Sequence, residues 1–199
     1  MRRKLWYKFI TNWTKIGLFF FFKRIEIVGA NKVSKSQPSI LLPNHQNTFL
    51  DAVLIAGTYS RMSHFMARAD IFNSPRMIWL MSTVNLRPIF RIRDGKDAIK
   101  KNTQVFSQLV DFLHQGESVM IHPEGTHSLE YRVKPLKNGF IKLAFEFLEK
   151  YPNEDIDIVP VGINYENHTD FRSKVSTHYG KPISARAYFE QQDQVLAKQ

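Results

Sequence analysis

Apolar residues along the chain follow two different periods that alternate from segment to segment. Short runs that are apolar throughout or at every second position predict strands at residues 23–29, 39–43, 63–67, 85–92, 117–122, 155–165 and 175–180. Apolar residues three and four positions apart predict helices at residues 1–22, 48–58, 74–81, 96–115, 136–151 and 184–198. In the third of these helices we expect Met77, Trp79 and Met81 to lie in the core. Strands that alternate with helices predict an α/β fold, with a twisted, mostly parallel or mixed sheet wrapped by helices.

The first predicted helix, residues 1–22, has the composition of a helix that lies on a membrane surface. Its apolar residues recur at helical spacing, and they are Leu5, Phe9, Trp13, Ile16 and Phe20. Basic residues beside them suit lipid phosphate, and the aromatic rings suit the depth of the headgroups. The uninterrupted apolar run, 16–22, is far shorter than the roughly 20 residues of a transmembrane helix. We therefore predict an amphipathic, membrane-associated helix, with an ordinary first helix packed on the core as the alternative.

The composition excludes some classes of protein and indicates which kind of partner the protein binds. The 199 residues suffice for one domain, and 43% hydrophobic residues with 16 Phe exclude a disordered chain. The absence of Cys excludes disulfides, thiolate metal sites and a Cys nucleophile. The net charge of +10 indicates an anionic partner, either nucleic acid or a membrane surface. Nucleic acid is the weaker of the two, since no zinc finger, aromatic RNA-binding signature or long Lys/Arg block is present.

The polar segment 44–51 follows a buried strand and leads into a predicted helix. Asn47 or Thr48 can cap that helix, and Asp51 falls in or near its first turn. A His and an Asp this close in sequence can meet in space. The carboxylate of Asp51 would then hold His45 in one tautomer, so that the other ring nitrogen takes a proton from a hydroxyl. Capping and surface roles are the ordinary alternative for these two residues.

A second polar turn follows the strand at 117–122. It contains His122, Glu124, Gly125, Thr126 and His127. Two polar turns at the ends of two buried strands indicate an active site on one edge of the sheet. The spacing of His45, His122 and His127 matches no metal-ligand pattern that we can defend, so we predict no metal site.

Four segments in order resemble the glycerolipid acyltransferases of the lysophosphatidic acid acyltransferase type. They are Asn44-His45 with Asp51, the block 88–93 that ends in Arg93, Pro123-Glu124-Gly125-Thr126, and the strand 158–162. The matched region runs from about residue 24 to about residue 183, and its motif forms are similar to a bacterial branch of the family. The resemblance implies an α/β acyltransferase domain over residues 23–199, after the helix at 1–22, with the active site on one sheet edge.

The resemblance also implies the reaction. A fatty acyl group moves from acyl-CoA or acyl carrier protein, which act as co-substrates without a further cofactor, to a glycerolipid hydroxyl. His45 would deprotonate the hydroxyl and Asp51 would orient His45. Glu124 would bind the acceptor, with a structural role on backbone amides as the alternative. Backbone N–H groups near Gly125 and Thr126 are candidates for stabilising the oxyanion.

Arginines are the candidates for binding the acceptor phosphate. Arg93 occupies the position of the family's Arg, and Arg87 and Arg91 alternate with it along a predicted strand. The three side chains would therefore share one face, which suits phosphate. For Arg87 and Arg91 a solvated basic edge is an equal alternative.

The sequence departs from the family pattern at three points. Five residues rather than four separate His45 from Asp51, and one extra residue shifts a helical position by about 100°. His127 stands where many members have Arg, which favours a different acceptor head group. His122 replaces a common aromatic residue, which we interpret as a packing choice.

The predicted function is acylation of 1-acyl-sn-glycerol-3-phosphate to phosphatidic acid. We expect a peripheral protein at the cytoplasmic face of the inner membrane, where its partners are the anionic lipid surface, the acyl donor and the glycerolipid acceptor. One alternative is another acceptor, such as glycerol-3-phosphate, another lysophospholipid or an amino-acid lipid. The other is a non-catalytic membrane-binding protein of the same fold, against which the intact His45, Asp51 and Glu124 argue.

Overall fold

The computed structural model describes residues 2–91, 95, 97–125, 132 and 134–196, with the side chains of residue 2 and residues 192–196 left aside. The helices are α1 Arg2–Phe21, α2 Leu50–Thr58, α3 Pro75–Thr83, α4 Ala98–His114, α5 Gly139–Lys150 and α6 Arg186–Leu196. The strands are β1 Arg24–Val28, β2 Ser39–Pro43, β3 Ser63–Arg68, β4 Leu86–Ile89, β5 Ser118–Met120, β6 Asp157–Tyr165, β7 Lys174–Tyr179 and β8 Ile183–Ser184. The predicted helices and strands are therefore present, although β4 is shorter than predicted and β8 was not predicted.

The described strands form one mixed sheet. Their order is β1-β7-β6-β2-β5-β3-β4, with β8 beside β6. Strand β6 runs antiparallel to β7 and β8, and the other neighbouring pairs are parallel. Strand β2 lies at the centre and all five of its residues are buried, as expected for a strand covered on both faces. This confirms the predicted α/β class with a mostly parallel sheet.

Two apolar cores lie on opposite faces of the sheet, because successive side chains of a strand point to opposite sides. Leu41 of β2 packs in a core with Leu54 and Ile55 of α2. Its neighbours Ile40 and Leu42 pack in the other core, which α4 and α5 cover. Because helices cover both faces of the sheet, the central strands are uncovered only at their ends.

Helix α1 uses one face for the core and displays the other. Tyr7, Thr11 and Leu18 are buried at helical spacing, and Leu18 packs against α2 at Gly57, where an added Cβ would lie 2.5 Å from Leu18 Cδ1. The residues of the predicted stripe, Leu5, Phe9, Trp13, Ile16 and Phe20, are all exposed. One face of α1 therefore packs on the core and the predicted stripe is displayed on another, while membrane association stays a prediction. Among the described residues, no helix is both long and apolar enough to cross a bilayer.

A polar cluster ties the first turn of α1 to the amino ends of β3 and β5. Buried Glu117 pairs with Arg3 and lies 2.6 Å from His64 Nε2. On the other side of the ring, Arg87 Nε donates to His64 Nδ1 at 3.4 Å. The Arg3 and Arg87 guanidinium groups and the His64 ring all lie against Phe112. We call these four charged or polar residues (Arg3, His64, Arg87 and Glu117) the α1 clasp.

Helix α3 differs from its predicted place. All of its residues are at least partly exposed, and Trp79 is 69% exposed. The expectation that Met77, Trp79 and Met81 lie in the core was wrong. The physical reason is that α1 and α2 already cover this face of the sheet centre, so α3 lies over the edge strand β4 and beside α1.

Candidate active site

The two polar turns meet at one edge of the sheet. Strands β2 and β5 are parallel neighbours, with Leu41 opposite Met120, so their carboxyl ends lie side by side. His45 follows β2 by two residues and His122 follows β5 by two residues. The two imidazole rings stack with their centroids 3.6 Å apart and their planes within 16°. The sheet topology therefore creates this site from segments far apart in sequence.

Asn44 holds the chain as it leaves β2. Its backbone N–H donates to Val161 O at 3.2 Å, which extends the pairing with β6 by one residue. Its side chain then bonds twice to Ile163, accepting from the backbone N–H at 2.7 Å and donating to the carbonyl at 3.0 Å. The side-chain amide of Asn44 thus makes the hydrogen bonds that the next backbone pair of the sheet would make. This fixes the position of the backbone just before His45.

Asn47 forms the turn between His45 and α2. Its side-chain oxygen accepts from the backbone N–H groups of Phe49 and Leu50 at 3.4 and 3.2 Å, which closes the turn just before the helix. The N-cap residue is Phe49, which makes no side-chain capping bond, and not Asn47 or Thr48 as predicted. Helix α2 begins at Leu50, two residues later than predicted. The extra residue between His45 and Asp51 is therefore absorbed in a non-helical turn and does not rotate Asp51 away.

Asp51 is fully buried and accepts three hydrogen bonds. His45 Nδ1 lies 2.9 Å from Asp51 Oδ2, and the Asn47 backbone N–H donates to the same oxygen at 2.9 Å. The Tyr165 hydroxyl donates to Oδ1 at 2.7 Å. An ionised carboxylate only accepts, so His45 Nδ1 carries the hydrogen and Nε2 is its basic nitrogen.

Tyr165 is a member of the site that the sequence interpretation missed. It is the last residue of β6, and its ring packs in the same core as α2. Burial and the adjacent Asp51 carboxylate raise the pKa of the Tyr165 hydroxyl, which therefore stays a donor. Only a spatial signal identifies it, because an aromatic residue at the end of a buried strand is common packing.

His122 is a neutral neighbour of His45. Its Nδ1 lies 3.3 Å from Pro43 O, to which an N–H there donates. Burial, and secondly the adjacent His45, lower the pKa of His122 to about 4. At neutral pH His122 is therefore uncharged beside the His45 ring.

The site suits acid–base chemistry better than a metal ion. One ligand-type atom each of His45, Asp51 and His122 lie within 4.8 Å of one another. Imidazole binds zinc through a lone pair in the ring plane at about 2.0–2.1 Å. Two nearly parallel rings stacked at 3.6 Å do not point such lone pairs at a common position. The Nδ1 atoms are also engaged, by Asp51 and by Pro43.

The second motif is described only in part. Glu124 is buried, and Gly125 adopts a left-handed φ of 70° that favours glycine. The Gly125 N–H donates to His122 O at 3.2 Å within the turn. Its predicted use as an oxyanion donor would require that bond to open. Thr126 and His127 lie outside the described residues.

Arg87 and Arg91 do not alternate along one strand. Strand β4 ends at Ile89, so it contains Arg87 but not Arg91. Arg87 belongs to the α1 clasp, where it bonds to His64, and its phosphate role stays a prediction. Arg91 lies beyond the strand, 3.7 Å from Asp70 Oδ2. Arg93 lies outside the described residues.

Known proteins are similar to this chain in sequence. A sequence model of the family described as Acyltransferase matches residues 24–164. The chloroplastic 1-acyl-sn-glycerol-3-phosphate acyltransferase of Brassica napus is 30% identical over 146 residues, 72% of this chain and 40% of the relative. Glycerol-3-phosphate O-acyltransferase 2 of Saccharomyces cerevisiae is 33% identical over 82 residues, 41% of this chain and 11% of the relative.

A solved structure shares the fold. The 1-acyl-sn-glycerophosphate acyltransferase PlsC from Thermotoga maritima superposes with a TM-score of 0.68 at 20% identity, over 92% of this chain and 71% of that chain. The chain spans about two fifths of the length of the plant relatives that it matches. The family model covers most of the described sheet and both polar turns. The chain therefore belongs to the acyltransferase family, in its PlsC-like glycerolipid group.

Proposed function

We propose that this protein transfers a fatty acyl group from a thioester to the hydroxyl of 1-acyl-sn-glycerol-3-phosphate. The observation that carries the proposal is the buried Asp51, which bonds to His45 Nδ1 at 2.9 Å and leaves Nε2 as the basic nitrogen. Such a pair suits removal of a proton from a hydroxyl. The acceptor follows from the names of the plant relatives and from the four ordered motifs.

The reaction needs one base and no enzyme nucleophile. His45 Nε2 takes the acceptor's hydroxyl proton while the oxygen attacks the thioester carbonyl. As the tetrahedral intermediate collapses, the C–S bond breaks and the imidazolium returns the proton to the leaving sulfur. Asp51 stabilises the imidazolium between these steps. A base of this kind contributes about 10²–10⁴-fold to the rate.

The predicted substrate-binding residues complete the proposal. Buried Glu124 and the partly exposed Arg91 lie on the segments that follow β5 and β4. We assign them to the acceptor, together with Arg93, Gly125, Thr126 and His127 from the family motifs. The acyl donor is acyl-CoA or acyl carrier protein, as the family resemblance implies.

Membrane contact is part of the same proposal. The exposed aromatic stripe of α1 and the net charge of +10 suit an anionic lipid surface. A lysophospholipid acceptor resides in such a surface. The proposed location is peripheral, at the cytoplasmic face of the inner membrane.

Glycerol-3-phosphate is the second candidate acceptor. His127 stands where many family members have Arg, and the yeast relative is named a glycerol-3-phosphate O-acyltransferase. The same His45 chemistry would serve this acceptor, because it also presents a hydroxyl beside a phosphate.

The test is thioester turnover by the purified protein with an acceptor panel. The panel contains 1-acyl-sn-glycerol-3-phosphate, glycerol-3-phosphate and a zwitterionic lysophospholipid, each with both donor types. We expect turnover with the first acceptor and a loss of at least roughly 10²-fold in His45→Ala. His178→Ala, at an exposed position on β7, is the matched control and should retain activity. Full activity in His45→Ala would refute the mechanism, and turnover with another acceptor alone would move the proposal to that acceptor.

A further inference from the structure

The connection between β6 and β7, residues 166–173, touches both the end of α1 and the catalytic turn. We call it the β6–β7 loop. Tyr165 immediately precedes it and holds Asp51, and Ser173 immediately precedes β7. The loop belongs to neither of the two motif turns, and the proposed chemistry does not use it.

The loop closes the carboxyl end of α1. The Arg172 N–H donates to Phe21 O at 2.7 Å, and the Lys23 N–H donates to Ser173 O at 2.9 Å. The ring of Phe171 meets that of Phe21 edge-on, with centroids 6.0 Å apart. Helix end and loop therefore form one continuous surface.

The same loop supports the catalytic turn. Asn47 Nδ2 donates to His168 O at 3.2 Å, and Asn47 is the residue whose own N–H bonds to Asp51. The ring of Tyr165 lies 6.3 Å from that of Phe22 and 5.3 Å from that of His168. A surface on this loop is thus fixed relative to the His45–Asp51 pair.

Three exposed phenylalanine rings lie on the last turn of α1 and on the loop that caps it. Phe19 is 70% exposed, Phe20 63% and Phe171 68%. We call them the Phe cluster. Arg172 has a φ of 62°, a left-handed conformation that is costly for a residue with a side chain. The backbone adopts it where Phe171 faces outward and the Arg172 N–H caps α1.

The charges around the Phe cluster suit an anionic lipid surface. Lys23 and Arg172 flank it and are exposed. The acidic groups of the loop are engaged locally, since Asp170 accepts from Asn167 at 2.7 Å and Glu166 from Lys174 at 3.1 Å. Exposed rings beside cations are the composition of a membrane-contact surface. The cluster shares Phe20 with the exposed stripe of α1, so the stripe and the cluster adjoin.

We propose that Phe171 and the β6–β7 loop extend the lipid contact of α1 and thereby hold the His45–Asp51 site at the membrane surface. This inference rests on the proposed function only where it concerns turnover of a lipid acceptor. The lipid contact itself is a binding property and can be measured without turnover.

The first experiment measures partition of the full chain onto vesicles of phosphatidylcholine and phosphatidylglycerol. Phe171→Ser should weaken partition roughly tenfold or more, because it removes a large apolar side chain that the lipid would bury. Ile99→Ser is the matched control, because Ile99 is equally exposed at 68% but lies on α4, which covers the other face of the sheet. Equal partition of the wild type and Phe171→Ser, or no binding of the wild type, would overturn the proposal.

The second experiment compares turnover on a vesicle-embedded long-chain acceptor with turnover on a short-chain acceptor that dissolves as monomers. We expect Phe171→Ser to lower the ratio of the first rate to the second, while Ile99→Ser leaves the ratio unchanged. An equal loss on both acceptors would give Phe171 a structural role in the catalytic turn and overturn the proposal. Absence of turnover in the wild type on both acceptors would refute the proposed function, and the vesicle partition would still decide the lipid contact.

Discussion

Asp51 illustrates at the scale of single residues how a buried carboxyl group finds hydrogen-bond partners beside a base. It has lost contact with water, and three donors, His45, Asn47 and Tyr165, replace the lost hydrogen bonds. Two of the three belong to the same short turn as Asp51. The third comes from the far end of β6, so the orientation of Asp51 depends on the tertiary fold as well as on its own turn.

Removing the Tyr165 hydroxyl should lower the rate of the chemical step. Hydrogen bonds to a charged group contribute about 1.5–3 kcal/mol, and only the part that orients Asp51 affects catalysis. We expect Tyr165→Phe to reduce kcat roughly tenfold with little change in KM for either substrate, measured by steady-state kinetics. Tyr179→Phe is the control, because Tyr179 is also buried but bonds only weakly to Thr58, at 3.4 Å. An unchanged kcat in Tyr165→Phe would show that the hydrogen bond from Asn47 is enough to orient Asp51 without Tyr165.

His122 makes the folded state sensitive to acid. Its pKa is about 4 in the folded protein against 6.5 for the free side chain, so the unfolded chain binds the proton first as pH falls. The free energy of unfolding should therefore decline between about pH 6.5 and pH 4, by up to about 3 kcal/mol from this residue.

His122→Phe should flatten that decline. The substitution keeps a flat ring against His45 but removes the titrating group, while the other acid-sensitive groups stay in place. Urea unfolding at about pH 7.5 and pH 4 measures the difference, with the exposed His178→Phe as the control that keeps the wild-type slope. An equal slope in His122→Phe and the wild type would contradict the assignment of a depressed pKa to His122.

Among the elements, α1 is fixed at its two ends by different kinds of interaction. The α1 clasp fixes its first turn through charge, and the β6–β7 loop caps its last turn through hydrogen bonds and aromatic packing. Apolar packing of Tyr7 and Leu18 lies between. The exposed stripe therefore belongs to a helix whose orientation on the domain is fixed.

Neutralising Glu117 should loosen the amino end of α1. The substitution Glu117→Gln leaves the cations of Arg3 and Arg87 near each other without the carboxylate between them, and breaking a buried pair costs about 3–5 kcal/mol. Because Arg3 is partly exposed, we expect a loss of about 2 kcal/mol in the free energy of unfolding, measured by urea denaturation. Glu26→Gln removes an exposed carboxylate from β1 and should change stability little. A similar effect of the two substitutions would show that the clasp adds no stability.

Elements with a strong local period were predictable from the sequence, and contacts between distant elements were not. The aromatic stripe of α1, the buried β2 and the turn before α2 depend on residues within a few positions of one another. Tyr165 reaches Asp51 across 114 residues, and its place depends on the register between β6 and β2. The contact of Arg87 with His64 was not predictable for the same reason, since the pairing of β3 with β4 brings the two residues together.

For the whole molecule, charge and the aromatic surfaces act together. The net charge of +10 attracts an anionic surface over a distance of about 10 Å at moderate salt, whereas the rings act only on contact. The sequence composition predicted this partner class. The position of the Phe cluster beside the site became visible only with the fold.

Salt should separate the two contributions to lipid binding. We expect partition onto phosphatidylglycerol-containing vesicles to weaken severalfold as ionic strength rises from about 0.05 M to about 0.5 M, because screening removes the long-range attraction. Partition onto pure phosphatidylcholine vesicles should be weaker and nearly independent of salt, since only the rings contribute. Sedimentation of the protein with vesicles measures both. Salt-independent binding to the anionic vesicles would exclude the electrostatic part.

The strand order also sets the sequence of events during synthesis. Among the described strands β1 pairs with β7 alone. Arg24 therefore has no partner in the sheet until Lys174 has been synthesised. While the ribosome is still making the middle of the chain, α1 and β1 have emerged without that partner. Strand β7 also pairs with β6, so its addition is what joins β1 to the rest of the described sheet. This edge of the sheet can therefore be completed only after most of the described chain has been made.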